Sequence, residues 1–278
     1  MQVIDSHVHF WDPNQLNYAW LNGINILNKP FLPSTYQENI QDIDVKHIVF
    51  VEANCADDQR LDEVKWIETL DDRIQAIVAA APLEHGDKAH PMLEQLAERH
   101  LVKGIRRGIQ SEDRGFSIQP SFVQGVQALA KYDLSFDILV VHHQLADILE
   151  LVQQCPDIRF VVNHGAKPDI RTSLLDPWRD HIQALAKFEN VTCKISGLIT
   201  EANHDAWSAN DLKPYIDHLL NVFGPQRLMF GSDFPVLNLA GTYTGWYSAL
   251  HDILSELSDN EKSAIYFETA RNFYRIDK

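Results

Sequence analysis

The chain has 278 residues, 45% of them hydrophobic and 23% charged, a composition that supports a large core without disulfide staples. Its 39 acidic and 24 basic residues give a formal net charge of −15, which argues against nucleic-acid or anionic-membrane partners. Cys55, Cys155 and Cys193 stand far apart with no CxxC pair, which excludes a zinc knuckle and a disulfide framework.

In chain order, eight short β-branched runs stand out, at 3–6, 47–52, 74–80, 102–107, 135–141, 159–163, 191–195 and 228–230. Several are almost continuously apolar, as Ile48-Val49-Phe50-Val51 is, the pattern of strands buried on both faces of a parallel sheet. Helical spacing separates them. Residues 144–154 carry Leu145, Ile148, Leu149 and Val152 on one stripe, and 211–223 carry Leu212, Ile216, Leu219, Leu220 and Phe223. Pro156 and Gly224-Pro225 end these two helices. Eight alternating units in a chain of about 250 residues or more predict one (β/α)8 TIM-type barrel domain over 1–278. A doubly wound open sheet is the alternative. The segments 12–38 and 232–245 follow strand ends and belong at the C-terminal face, where barrels build active sites. No apolar run is long enough to span a bilayer, and no basic-then-apolar leader opens the chain. A cytoplasmic location is expected.

The first strand ends Asp5-Ser6-His7-Val8-His9. Residues i and i+2 of a strand project together, so His7 and His9 form half of a divalent-metal site. The plainer reading is two unrelated histidines in a turn. His164 follows the sixth run directly and Asp233 follows the last one. Singly, these read as a satisfied core histidine and a turn residue. Four such residues at strand ends together point to a catalytic centre. His142 and His143 close the fifth run, and His142 is taken as a substrate contact. Trp246 is a candidate aromatic wall for a sugar-sized pocket. Arg106 and Arg107 are neighbours on the fourth run, so a regular strand turns only one of them inward.

Ile4-Asp5-Ser6-His7-Val8-His9-Phe10-Trp11-Asp12 resembles the opening of the amidohydrolase-family-2 lactonases, the group of L-fuconolactonase-like and 2-pyrone-4,6-dicarboxylate lactonase-like hydrolases. The segments 102–107, 163–168, 193–198 with Thr200-Glu201-Ala202, and 227–236 resemble the same group in the same order. The resemblance implies hydrolysis of a small sugar-derived or carboxylated lactone, with Asp233 as general base toward water. It implies that His7, His9 and His164 polarise the carbonyl, directly or through a metal. One divalent ion on His7, His9, His164 and Asp233, with zinc the first choice, is weighed against a metal-free site. Arg106 and Lys194 are the implied substrate-binding cations, since an Arg fork suits a carboxylate. A homo-oligomer is left open. The rival readings are a metal-dependent decarboxylase or hydratase of the same superfamily, and an inactive small-molecule-binding barrel.

Overall fold

The computed structural model describes residues 1–277. Eight parallel strands run side by side in chain order: β1 (Val3–Val8), β2 (Val45–Val51), β3 (Ile74–Ala80), β4 (Val102–Arg106), β5 (Ser135–Ile138), β6 (Phe160–Val162), β7 (Val191–Ile195) and β8 (Leu228–Phe230). Just beyond the strand ends, Val8 bridges Phe234 in parallel, Asp233 N donates to the His7 carbonyl at 2.9 Å, and His9 N donates to the Phe234 carbonyl at 2.7 Å. The sheet therefore returns to its first strand as a (β/α)8 barrel. A doubly wound sheet would reverse its strand order at a switch point, and this one does not.

The helices are α1 (Pro33–Ile40), α2 (Arg60–Ile67), α3 (His90–Ala97), α4 (Pro120–Ala128), α5 (Leu145–Gln154), α6 (Trp178–Leu185), α7 (Ala209–Phe223), α8 (Tyr243–Ile253), α9 (Asp259–Ser263) and α10 (Thr269–Tyr274). The two helices read from the sequence are α5 and α7. The second starts two residues earlier than expected because Ser208 caps it: Asp211 Oδ2 accepts from both Ser208 N and Ser208 Oγ at 2.8 Å. Gly224, at φ +68°, stops it. No helix among the described residues is long and apolar enough to cross a membrane.

Side chains alternate between the helix-facing layer and the barrel interior. Ile48 and Phe50 pack outward, while Ile4, Val49, Val51, Val161 and Met229 form a separate inner cluster. Ala270 and Tyr274 of α10 join that inner cluster, so the C-terminal helix plugs one end of the barrel. The other end carries the β-to-α loops. Four strands stop short of their expected ends, β2 at Val51 and β6 at Val162 by one residue each. β4 ends at Arg106, and β5 ends at Ile138 rather than at 141.

Candidate active site

A bulge in β1 decides which way its histidines point. Asp5 pairs with Ile48 and Val8 with Phe50, so three steps on β1 oppose two on β2. Asp5 and Val8 both face the helix layer beside outward residues of β2. The extra residue shifts the alternation, and His7 and His9 turn inward. Without it, the inward places would fall to Ser6 and Val8.

His164 and Asp233 arrive by strained turns. Residues 164–167 all have left-handed backbone, with φ of 54°, 56°, 62° and 49°. Three of the four are not glycine, and each such residue costs roughly 1–2 kcal/mol. The turn is held by Trp178 Nε1 donating to the Gly165 carbonyl at 2.7 Å and by His142 Nδ1 donating to the Lys167 carbonyl at 3.1 Å. Asp233 also has a positive φ, 63°. Strain of this kind gathers at functional sites. Two glycines make room for the cluster. A Cβ on Gly231 would lie 2.8 Å from His7 Cβ, and one on Gly197 would lie 2.5 Å from His164 Nδ1.

The four residues converge. Asp233 Oδ1 lies 3.5 Å from His9 Nε2, 3.8 Å from His7 Nε2 and 3.9 Å from His164 Nε2. All four are buried. His9 Nδ1 donates to the Val51 carbonyl at 2.7 Å, which leaves the Nε2 lone pair facing Asp233. His164 Nδ1 meets Ser196 Oγ at 2.9 Å. Burial would raise the Asp233 carboxyl, but the neighbouring His164, contact with His9 and the Lys167 ammonium hold it below the usual carboxylate range. Burial pushes His164 down to about 3. Burial also drives His7 well down, helped by His164, Lys194, His9 and Arg106. Neutral imidazoles beside an ionised carboxylate are the forms that ligate metal and accept protons.

Beneath His7 lies a polar frame. Lys194 Nζ donates to Asp137 Oδ2 at 2.7 Å and stands 3.5 Å from His7 Nδ1. Tyr274 OH donates to Asp137 at 3.0 Å, and Asn163 Nδ2 donates to it at 3.0 Å. On the other side, Arg106 Nε donates to Glu52 Oε1 at 2.5 Å, Nη2 donates to the Glu52 carbonyl at 2.5 Å, and Nη1 lies 3.4 Å from His7 Nε2. Burial works against the Glu52 charge, yet Arg106 keeps its carboxyl below the ordinary value.

A cavity of about 500 Å3 opens over the cluster, and His9, His164 and Asp233 line it. Of the other candidate site residues singled out in the sequence, Arg106 and its neighbour Arg107 reach it, and Lys194, Trp246 and His142 do not. Lys194 is fully buried against Asp137, so it supports His7 from below and has no free face for a substrate. Trp246 is buried on α8, its Nε1 donating to the Gly231 carbonyl at 3.0 Å; it braces β8 and is not a pocket wall. His142 is spent on the Lys167 carbonyl, off the cavity lining. Arg106 has all three guanidinium nitrogens engaged within the protein. β4 ends between the two arginines, so the alternation that turns only one of them inward on a regular strand does not extend to Arg107. Glu52, Glu84, Glu112 and Lys167 also line it and were missed in the sequence. Glu52 follows an apolar strand run directly, which was the one local signal available.

The donor set fits one divalent ion. One ligand atom each from His7, His164 and Asp233 lie within 4.8 Å of one another, and His9 Nε2 approaches the same carboxylate oxygen. Bonds of 2.0–2.2 Å to one tetrahedral ion place its donors about 3–4 Å apart, a span that small side-chain shifts reach from these positions. His7 is the least free ligand, because Arg106 and Lys194 both approach its ring.

Imidazoles and a carboxylate gathered at the C-terminal mouth of an eight-stranded parallel barrel define a barrel enzyme whose chemistry is hydrolytic or metal-assisted. The chain belongs to the amidohydrolase family, whose sequence pattern matches residues 4–276. It is 33% identical to an L-fucono-1,5-lactonase of Burkholderia multivorans, over 98% of this chain and 96% of that protein. A second L-fucono-1,5-lactonase, from Burkholderia ambifaria, is 28% identical over 99% of this chain and 96% of its own length. A crystal structure of an amidohydrolase from Burkholderia multivorans with bound zinc superposes with a TM-score of 0.89 at 32% identity, covering 100% of both chains.

Proposed function

We propose that this protein hydrolyses a neutral, sugar-derived lactone, with Asp233 as the general base. The observation that carries the neutral part is the pairing of every cation in the cavity lining. Arg60 lies 2.6 Å from Asp57, Arg106 2.5 Å from Glu52, Arg107 2.7 Å from Glu112, and Lys167 3.5 Å from Glu201. A carboxylated lactone would meet no arginine free of a carboxylate partner, and the loosely paired Lys167 already shares its charge with Glu201, while hydroxyl groups can use the carboxylates and ammonium as they stand. The relatives named L-fucono-1,5-lactonase support the reaction class.

Asp233 is ionised and faces three imidazoles, and a water held at its carboxylate gives up a proton as it attacks the carbonyl carbon. His9 is fixed by its bond to Val51 and presents Nε2 without rotating. Burial, helped by the nearby Lys194 and Arg106 charges, keeps His7 neutral, and the Arg106–Glu52 and Lys194–Asp137 pairs hold those two cations against its ring. A divalent ion held by His7, His9, His164 and Asp233 would supply Lewis-acid polarisation of the lactone carbonyl.

The test is acid release from purified protein on a panel of neutral aldonolactones and dicarboxylate lactones. Turnover of a neutral aldonolactone with no faster dicarboxylate substrate is the expected result. A faster carboxylated substrate would remove the neutral assignment. No acid release from any lactone would remove the reaction class.

A further inference from the structure

Lys167 differs from the other cations of the cavity. Its Nζ has one carboxylate contact, to Glu201 at 3.5 Å, whereas Arg60, Arg106 and Arg107 are held at 2.5–2.7 Å. An ammonium has three donors, so Lys167 keeps hydrogen-bonding capacity to spare. Its side chain is 22% exposed and lines the same cavity as His9, His164 and Asp233. Its position is costly to maintain. Lys167 ends the left-handed turn begun by His164, with Lys167 N donating to the His164 carbonyl at 2.9 Å. Residues three apart on one helical turn share a side, so the turn aims both side chains at the cavity. A surface ion pair alone is worth little and would not explain a strained turn anchored at Gly165 and Lys167.

We propose that Lys167 is a further catalytic residue, its ammonium donating a hydrogen bond to the ring oxygen that departs when the lactone opens. The inference rests on the lactone-hydrolase reading above. The water oxygen bonds to the carbonyl carbon and one of its protons passes to the Asp233 carboxylate. The bond between that carbon and the ring oxygen then breaks, and its electron pair stays on the ring oxygen. The proton held by Asp233 moves onto that oxygen. Lys167 keeps its three protons throughout and stabilises the charge developing on the departing atom. The product is a hydroxy acid, which releases its carboxyl proton to solvent. Glu201 holds the Lys167 side chain over the cavity between turnovers.

The experiment compares wild type, Lys167→Met and Lys167→Arg on an aldono-1,5-lactone and on dihydrocoumarin, a cyclic ester that releases a phenolate. A phenolate needs far less help to leave than an alkoxide. Lys167→Met should lower kcat on the aldonolactone by about 10²–10³, the usual cost of removing one preorganised donor. It should lower kcat much less on dihydrocoumarin, with KM little changed, and Lys167→Arg should recover part of the loss. Ethylammonium should restore turnover of the aldonolactone to Lys167→Ala, and tetramethylammonium, which has the charge but no donor, should not. The rescue arm carries the test if wild type rejects dihydrocoumarin. Equal losses on both substrates, a loss confined to KM, or rescue by neither ion would overturn the assignment. Wild-type protein that opens no aldonolactone would overturn the lactonase reading and this inference with it, whereas an active wild type with an undiminished Lys167→Met sinks this inference alone.

Discussion

Gly197 lies so close to His164 that a Cβ built on it would stand 2.5 Å from Nδ1 of the imidazole and 3.1 Å from Asp233 Oδ2. Its φ of +60° is one that side chains rarely adopt. Gly197→Ala should therefore cost about 1–3 kcal/mol of stability from the backbone alone. It should also displace His164, with a fall in turnover of about 10² for a shift near 1 Å. Chemical denaturation and kcat measured on one preparation check both. An alanine variant with normal activity would show that the close approach does not matter.

Asp233→Asn keeps the shape of the side chain and removes its basicity. Turnover should fall by about 10²–10⁴, the span of general-base contributions, while the thermal midpoint stays near that of wild type. An inactive binding barrel would have no turnover to lose.

Lys194 and Asp137 are both fully buried and lie 2.7 Å apart. Lys194→Met strands the Asp137 charge in the barrel and should cost about 3–5 kcal/mol. Adding Asp137→Asn should return part of that loss, because the stranded charge is then gone. Urea unfolding of both single variants and the double variant closes the cycle. Additive losses would mean that the two groups do not interact.

Ser196 Oγ lies 2.9 Å from His164 Nδ1 and fixes the ring from behind. If His164 binds zinc, Ser196→Ala should weaken zinc binding about 10–100-fold, as the loss of outer-shell partners does elsewhere. Calorimetric titration of metal-stripped protein should give one zinc per chain. Unchanged affinity in the variant would place the ion away from His164.

Glu63 of α2 is fully buried, and its carboxyl is pushed up to about 8 by burial and by the charge of Glu52. One of its oxygens accepts from Ala53 N at 3.2 Å, and the other has no partner among the described residues. Between its ordinary value of 4.5 and about 8, the folded state holds a proton that the unfolded state has lost. Stability should therefore fall as pH rises through this window and level off above it. Glu63→Gln should flatten that slope in a pH series of denaturation curves. A slope unchanged by the substitution would mean that the glutamate is already ionised in the fold.

Much of the site was legible because it is local. The pairing of His7 with His9 follows from strand geometry, and the placing of His164 and Asp233 at strand ends follows from the apolar runs before them. The eight-unit rhythm fixed the barrel, since buried parallel strands and amphipathic helices leave their periods in the chain. Tertiary structure alone decided the rest. The inward turn of His7 depends on a bulge visible only in the pairing of β1 with β2. Lys194 and Arg106 read as substrate cations until Asp137 and Glu52, 57 and 54 residues away, arrive to neutralise them. Trp246 reads as a sugar platform until its indole meets Gly231. Lys167 gains its place from a left-handed turn that no propensity encodes. A chain's periodicity records which face of each element is buried, but a charge takes its role from the partner that folding brings against it, and that partner is set by the register of distant strands.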